Sequence, residues 1–215
     1  MILFGSTISP FVRKVAAYMH EKGIEFELIP TGIGDPNPEF RAASPFAKMP
    51  ALVDGDYGLA DSSAIVHYLE AKYPDPPLIP ADPQLRGRVV WFDEWADTML
   101  FACGAKMFFN RIVAPRFLGR DGDLAVADIA QRDELPPLLD YLEGVIPDSG
   151  FLVGDRLTLA DISVASPFAN FGHLKLAIDE DRYPKVAAFT RAILARPSFA
   201  PLVERETAFL ERVGP

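Results

Sequence analysis

A serine followed by a proline stands at the start of a predicted helix near the N-terminus. Ser9-Pro10 comes after a short apolar strand, Ile2-Leu3-Phe4. The N–H groups in the first turn of a helix are unpaired and carry about half a positive charge, so they favour a nearby anion, including a thiolate. Ser9 can donate a hydrogen bond to such an anion or cap its own helix, and the residues alone leave both roles open. Ser6 and Thr7 offer further hydroxyls in the same loop.

Two further motifs could hold a peptide ligand. Met49-Pro50 precedes the strand-like residues 51–53, and a cis bond there would turn the Met49 backbone outward to pair with an extended peptide. A trans proline that only marks the start of a strand is the alternative, since few X–Pro bonds are cis. Asp61-Ser62 begins another predicted helix. These residues either cap the helix or bind a ligand, with the helix start and the Ser62 hydroxyl holding a carboxylate and Asp61 meeting an ammonium group.

The elements around these motifs follow the order β-α-β-α-β-β-α. Apolar residues at helical spacing follow Pro10, and Gly23 ends that helix. Residues 25–29 alternate polar and apolar side chains like a half-buried strand, and Asp54-Gly55 predicts a hairpin turn. A crossover followed by a hairpin predicts a mixed sheet.

Residues 73–83 contain five prolines. Neither a helix nor a central strand tolerates this proline density, so the segment predicts a domain boundary. We therefore expect one domain over 1–76, a proline-rich linker over 77–83 and an all-α domain over 84–215. The expected helical segments are 84–117, 124–145 with a bend or break at Pro136-Pro137, 158–172 with an interruption or kink at Pro167, 184–196 and 197–213. Thr158 and Asp161 predict a capping box at the third segment.

Composition excludes several classes of function. The 215 residues carry a net charge of −9 and contain no cluster of Lys and Arg, so we expect no nucleic acid partner. No apolar segment approaches the ~20 residues of a membrane span, so we expect no membrane partner. The one cysteine, Cys103, excludes an internal disulfide, is expected to be buried, and fits a cytoplasmic location. The three histidines lack ligand spacing, so we expect no metal.

The ordered motifs resemble the soluble (cytosolic) glutathione S-transferase family over essentially the whole chain. The resemblance is carried by Lys22-Gly23-Ile24 after the first helix, Lys48-Met49-Pro50-Ala51-Leu52, Asp61-Ser62-Ser63-Ala64-Ile65, the proline linker and the helical second half. The segment around Ser9 is similar to zeta- and omega-like active-site segments, which suggests a serine-type, bacterial member. The resemblance implies a thioredoxin-like, α+β glutathione-binding domain, an all-α second domain, and a transferase with glutathione as co-substrate.

The family pattern also implies a role for each matching residue. Ser9 would be catalytic, donating a hydrogen bond that favours the glutathione thiolate. Met49, before cis-Pro50, would pair with the cysteinyl part of glutathione. Asp61 and Ser62 would contact the γ-glutamyl end. Lys48 would contact the glycine carboxylate, with Arg41 as a second candidate for that contact. Asp61 stands where Glu or Gln is commoner, and Ala47 stands where Gly is common, which matters only if that position needs a positive φ.

The family also suggests a homodimer and an apolar electrophile bound between the domains. The candidate pocket residues are Phe11, Phe108, Arg111 and Phe171. One alternative is a module that binds glutathione or another ligand without catalysis, because fold does not fix function. Another is glutathione-dependent ether cleavage or dehalogenation. Thiol–disulfide exchange would need a cysteine at position 9, where this chain has serine.

Overall fold

The computed structural model describes residues 1–32 and 34–214. The chain divides into two compact units, Met1–Ile79 and Pro80–Pro215. Within the described residues, the first unit holds a four-stranded sheet with helices and the second consists of helices and loops. The predicted fold class, an α+β domain followed by an all-α domain, is confirmed. The predicted limits of the linker, 77–83, stay a prediction.

The first unit follows the predicted order of elements. They are β1 (Ile2–Phe4), α1 (Pro10–Glu21), β2 (Glu27–Ile29), α2 (Pro38–Ala43), β3 (Ala51–Asp54), β4 (Tyr57–Ala60) and α3 (Ser62–Lys72). The strand order in the sheet is β2-β1-β3-β4. Because β1 is parallel to β2 while the other two pairs are antiparallel, the prediction of a mixed sheet is confirmed.

Strand β2 is shorter than its alternating pattern predicts. It begins at Glu27 rather than at Glu25. The register pairs Ile2 with Glu27 and Phe4 with Ile29. Since β1 has only three residues, it can form a ladder with only three residues of β2.

Helix α1 is buried on more than one face. Its apolar spacing predicts a single buried face, but every residue from Val12 to Met19 is buried. Two of these residues, Arg13 and Lys14, carry charged side chains. A buried charge is costly without polar partners, so contacts with the rest of the chain must position this helix closely.

The Glu70 side chain joins α1, α3 and the segment after α3. Its Oε2 accepts a hydrogen bond from the Tyr18 hydroxyl and lies 2.6 Å from the Lys22 ammonium. Its Oε1 accepts the backbone N–H groups of Leu78 at 3.1 Å and Ile79 at 3.0 Å. Both carboxylate oxygens are therefore paired within a largely buried site.

Lys22 extends this network into the proline-rich segment. Its ammonium donates to the carbonyl oxygens of Tyr73 at 2.6 Å and Pro76 at 2.8 Å. The Lys22 side chain is fully buried. A lysine with both an anionic partner and carbonyl acceptors is a tolerable buried charge, and it holds residues 73–76 against the end of α1.

The second unit consists of helices, as predicted. They are α4 (Pro83–Trp95), α5 (Phe101–Phe108), α6 (Ala114–Phe117), α7 (Leu124–Ile129), α8 (Leu135–Val145), α9 (Leu159–His173), α10 (Pro184–Leu194) and α11 (Ala200–Val213). Two π-helical turns join α4, α5 and α6 into one continuous helical run. Among the described residues, no helix is both long enough and apolar enough to span a membrane.

The predicted break at Pro136-Pro137 is wrong, because both prolines lie in the first turn of α8, directly after a π-helical turn. Residues Ala130–Glu134 form this turn immediately before α8. Prolines lack an N–H group, so carbonyls in the preceding turn lose their usual donors and the helix widens. The helical run therefore continues from α7 to α8 instead of ending.

The predicted interruption at Pro167 is wrong. Helix α9 runs from Leu159 to His173 with Pro167 inside it. Every residue from Leu159 to Phe171 is buried. Packing on all sides stabilises the helix enough to outweigh the lost hydrogen bond, which is a tertiary effect that local propensity does not include.

The predicted capping box at the start of α9 is confirmed. Thr158 and Asp161 form it, and the Asp161 carboxylate accepts the Thr158 N–H at 2.8 Å. The same carboxylate accepts the Leu152 N–H at 2.7 Å, so it also fixes the loop before the helix. Burial raises the pKa of Asp161 to about 6, because desolvation outweighs its hydrogen bonds.

We expect Asp161→Ala to lower the free energy of unfolding by about 2–4 kcal/mol, since two buried N–H groups lose their acceptor. Asp82 is the matched control, because it caps α4 through the N–H groups of Gln84 and Leu85 at an exposed site. Asp82→Ala should cost only about 1 kcal/mol. Urea unfolding followed by circular dichroism measures both losses, and equal losses would contradict the buried role of Asp161.

Candidate active site

Ser9 occupies the N-cap position of α1, but its side chain does not cap the helix. Its backbone is extended and Pro10 is the first helical residue. The Ser9 hydroxyl makes no capping hydrogen bond, so the capping alternative is wrong for its side chain. The hydroxyl of the half-buried Ser9 therefore lies at the positive end of the α1 dipole and does not cap the helix. Its catalytic role stays a prediction.

Gly5 brings the loop that carries Ser9 close to α1. A Cβ atom at this position would lie 2.5 Å from Cγ2 of Val12, and the Gly5 φ is +148°. Both the close approach and the backbone angle require glycine. The turn is then closed by the Ser9 N–H, which donates to the Ser6 carbonyl at 2.9 Å.

The Met49-Pro50 peptide bond is cis, as the family resemblance implied. The preceding turn is held by Ser44, whose hydroxyl accepts the Lys48 N–H at 3.0 Å and donates to the Lys48 carbonyl at 2.8 Å. No hydrogen bond to the Met49 backbone is found in residues 1–32 and 34–214. Met49 can therefore offer both its N–H and its C=O to an extended ligand.

Ala47 adopts a conformation that favours glycine. Its φ is +53°, in the left-handed region. The substitution of alanine for the family's common glycine therefore does matter, because a Cβ atom adds strain there. This strained residue lies two positions before Met49, in the loop that would bind the cysteinyl part of glutathione.

Asp61 caps helix α3. Its Oδ1 accepts the N–H groups of Ser63 at 2.9 Å and Ala64 at 3.0 Å. The predicted cap is thus confirmed, while a contact with an ammonium group stays a prediction. The Asp61 φ of +82° is unusual for a residue other than glycine, and such strain clusters at ligand sites. The carboxylate is exposed and the neighbouring Ser62 is buried.

The two candidate partners of the glycine carboxylate differ in their contacts. Lys48 is exposed on the loop before Met49. The Arg41 guanidinium donates from Nε to the Asp35 carbonyl at 2.8 Å and from Nη2 to the Gly34 carbonyl at 3.2 Å. Arg41 therefore supports the loop before α2, which favours Lys48 as the carboxylate partner.

One contact between α1 and α3 was not predicted from the sequence. The Lys14 ammonium donates to the Ser63 hydroxyl at 3.2 Å. Lys14 is 1% exposed. The two residues are 49 positions apart in the chain, so spacing carried no signal of this contact. It connects the helix that begins after Ser9 with the first turn of the helix that begins after Asp61.

Three of the candidate pocket residues lie in the second unit and the fourth lies on α1. Phe11 is half-buried on α1. Arg111 pairs with Asp128 at 2.7 Å. Phe108 is 7% exposed and Phe171 is 1% exposed. The Phe171 ring packs edge-on against Phe168 and beside Gly104. This burial favours a core role for Phe171 over a place in a pocket wall.

Cys103 is buried, as predicted, and its pKa is raised to about 11 mainly by that burial. Its thiol therefore stays protonated at neutral pH and is a poor nucleophile. No group of three or more His, Cys, Asp and Glu side chains in the described ranges, 1–32 and 34–214, is arranged to hold a metal ion.

Comparisons with known proteins agree with this fold. Residues 3–77 match the model for the glutathione S-transferase N-terminal domain, and residues 104–197 match that for the C-terminal domain. A glutathione S-transferase of Hyoscyamus muticus is 32% identical over 209 residues, covering 95% of this chain and 98% of the relative.

Solved structures give the same result. Glutathione transferase F7 of Populus trichocarpa has a TM-score of 0.83 and 28% identity, covering 94% of this chain and 97% of that chain. A glutathione S-transferase of Methylobacterium radiotolerans, in complex with glutathione sulfonate, has a TM-score of 0.77 and 28% identity, covering 94% and 93% of the two chains.

A mixed sheet with a cis-proline loop, followed by an all-helical unit, defines the class of two-part thioredoxin-like transferases. Within that class, this chain belongs to the glutathione S-transferase family. The prediction of a glutathione S-transferase is confirmed. Its bacterial origin and its assignment as a serine-type member stay predictions.

The geometry at the two helix starts predicts different stability effects. Ser9→Ala should change the free energy of unfolding by less than about 0.5 kcal/mol, because no capping bond is lost. Asp61→Ala should cost about 1–2 kcal/mol, since it removes a real cap and places alanine at a positive φ.

Asp61→Asn keeps both the cap and a side chain that tolerates this backbone angle, so it is the matched control and should be nearly neutral. Urea unfolding of the three variants measures the differences. A loss at Ser9→Ala as large as that at Asp61→Ala would show that the Ser9 hydroxyl caps α1.

Proposed function

We propose that this glutathione S-transferase uses Ser9 to activate glutathione as a thiolate, which then attacks a small hydrophobic electrophile. The observation that carries the proposal is the Ser9 hydroxyl, which stands at the start of α1 and makes no capping bond. A hydroxyl in this position can donate to a sulfur anion. The dipole of α1 adds a field of the same sign at the N-terminal end of the helix.

The chemistry of the reaction resides mainly in glutathione. A free thiol has a pKa of about 8.5, and lowering it by two units corresponds to about 2.7 kcal/mol of thiolate stabilisation. The thiolate sulfur then forms a bond to the electrophilic carbon, and the leaving group departs with the bonding electrons. The protein lowers the thiol pKa and orients the two reactants, and it forms no covalent intermediate.

Two segments of the first unit would hold the tripeptide. The Met49 backbone before cis-Pro50 pairs with the cysteinyl part, supported by its unused hydrogen-bonding groups. Asp61 and the buried Ser62 hold the γ-glutamyl end, with the exposed carboxylate facing its ammonium group. Lys48 meets the glycine carboxylate, since Arg41 already donates to two carbonyls.

The electrophile would contact Phe11, Phe108 and Arg111, with Phe171 as the least favoured candidate because of its burial. Aromatic side chains suit a small apolar electrophile. The single cysteine in the sequence supports the cytoplasm as the place of action.

We expect the thiol of glutathione bound to the protein to titrate about two pKa units below the free thiol. Ultraviolet absorbance of the thiolate across a pH series measures this shift. A bound thiol with the ordinary pKa would favour the alternative of a binding module without catalysis, and the absence of glutathione binding would exclude the transferase site.

Ser9→Ala should lower turnover with an aryl halide well beyond tenfold, since the loss of one donor to a developing anion typically costs about a hundredfold or more. The dissociation constant of glutathione should change little, because the peptide contacts remain. Thr7→Val is the matched control from the same loop and should keep wild-type turnover. If Thr7→Val lowers turnover and Ser9→Ala does not, Thr7 rather than Ser9 is the thiol partner.

We further propose a homodimer in which the loop around Phe46 contacts the second copy. Phe46 is 87% exposed in the single chain. An aromatic side chain this exposed on a tight loop gains apolar burial when a second copy covers it.

Sedimentation at micromolar concentration should show a dimer, and Phe46→Ser should raise its dissociation constant about tenfold or more, as expected for an aromatic anchor. Leu124→Ser, at another exposed apolar residue, is the control and should leave the dimer unchanged. A monomeric wild type, or an equal effect of both substitutions, would contradict this interface.

A further inference from the structure

A buried ammonium group lies at the first turn of α3. Lys14 is 1% exposed, and its Nζ is 3.2 Å from the Ser63 hydroxyl oxygen. Ser63 is the second residue of α3, and its own N–H donates to Asp61 at 2.9 Å. Ser63, the partner of Lys14, is therefore next to Ser62 and two positions from Asp61, the two members of the predicted γ-glutamyl contact.

The direction of the Lys14 side chain follows from the helix that carries it. Side chains on a helix lean toward its N-terminus, so Lys14 on α1 reaches back toward the end where Ser9 stands. It contacts α3 at the N-terminal end of that helix as well. The contact thus joins the two helix starts that carry the predicted thiol site and the predicted γ-glutamyl site.

A buried lysine is an unusual choice for a contact that serves packing alone. Apolar side chains hold two helices together without the cost of removing a charge from water. An ammonium group instead offers a fixed positive charge and a directional donor. Next to the N–H groups at the start of α3, it adds a second positive source beside the place where a carboxylate would bind.

We propose that Lys14 is a positioning residue for the γ-glutamyl end of glutathione. It acts through Ser63: its ammonium fixes the first turn of α3 against α1 and sets the spacing between Ser9 and the Asp61–Ser62 pair. This inference rests on the proposed glutathione site. It assigns Lys14 to peptide binding and leaves thiol activation to Ser9.

The test compares Lys14→Met with the wild type in calorimetric titrations of S-methylglutathione, which has no ionisable thiol. The dissociation constant should rise about tenfold, the size expected when a hydrogen bond from a charged donor is lost. The Michaelis constant for glutathione should rise equally, while turnover at saturating glutathione stays within about twofold, because a uniform loss of binding leaves the chemical step unchanged.

Two controls separate positioning from general stability. Lys14→Arg keeps the charge and a donor and should bind within about threefold of the wild type. Lys72→Met removes a lysine at the other end of α3, where it pairs with Asp54, and should leave binding unchanged. A purely structural role for Lys14 would lower the active fraction, and hence turnover, without raising the Michaelis constant.

A double-mutant cycle tests whether Lys14 acts through Ser63. Ser63→Ala alone should weaken binding, and Lys14→Met should add little in its presence, because the shared contact is already lost. Fully additive effects would overturn the proposal. If Lys14→Met does not fold, Ser63→Ala and Lys14→Arg test the proposal instead. Unchanged binding of S-methylglutathione in Ser63→Ala also overturns the proposal.

The wild-type titration distinguishes the inference from the function on which it rests. If the wild type does not bind S-methylglutathione, the proposed glutathione site itself fails. If the wild type binds and Lys14→Met binds equally well, only the role of Lys14 fails.

Discussion

The buried Glu70 carboxylate is the interaction on which the arrangement of the first unit depends. It pairs with Tyr18 and Lys22 late in α1 and with the backbone of Leu78 and Ile79 after α3. A buried carboxylate that loses a partner is strongly destabilising, so α1 and α3 cannot slide past each other without a large cost. Lys14 and Ser63 join the same two helices nearer their starts. With both ends joined, the loops that precede the helices are held in one relative position.

Local chemistry made much of this molecule predictable. Proline at the first helical position, Gly23 after α1 and the Asp54-Gly55 turn each determine backbone conformation through their residue types, so the order of elements followed from the sequence. The Thr158–Asp161 box was equally local, since both partners lie within one turn. The ordered motifs then identified the family. Ser9 was selected by the family pattern, although neither its capping geometry nor its role could be decided from the sequence.

The features that the sequence could not predict depend on residues far apart in the chain. Lys14 and Ser63 are 49 positions apart, and Tyr18 and Glu70 are 52 apart, so no periodic pattern connects them. Pro167 was expected to interrupt or kink α9, but the helix continues through it because burial outweighs the local preference. Ala47 and Asp61 adopt positive φ angles that their residue types disfavour, because the surrounding loops impose those angles. Tertiary packing decides each of these cases.

The Glu70 network also determines where the first unit can be cut from the rest of the chain. A fragment that stops at Pro76 would keep every strand and α1 to α3, yet Oε1 of Glu70 would lose both of its backbone donors, Leu78 and Ile79. A fragment that continues through Ile79 keeps the carboxylate fully paired. For excision, circular permutation or fusion of this unit, the boundary is therefore set by the partners of one buried side chain and not by the end of the last helix.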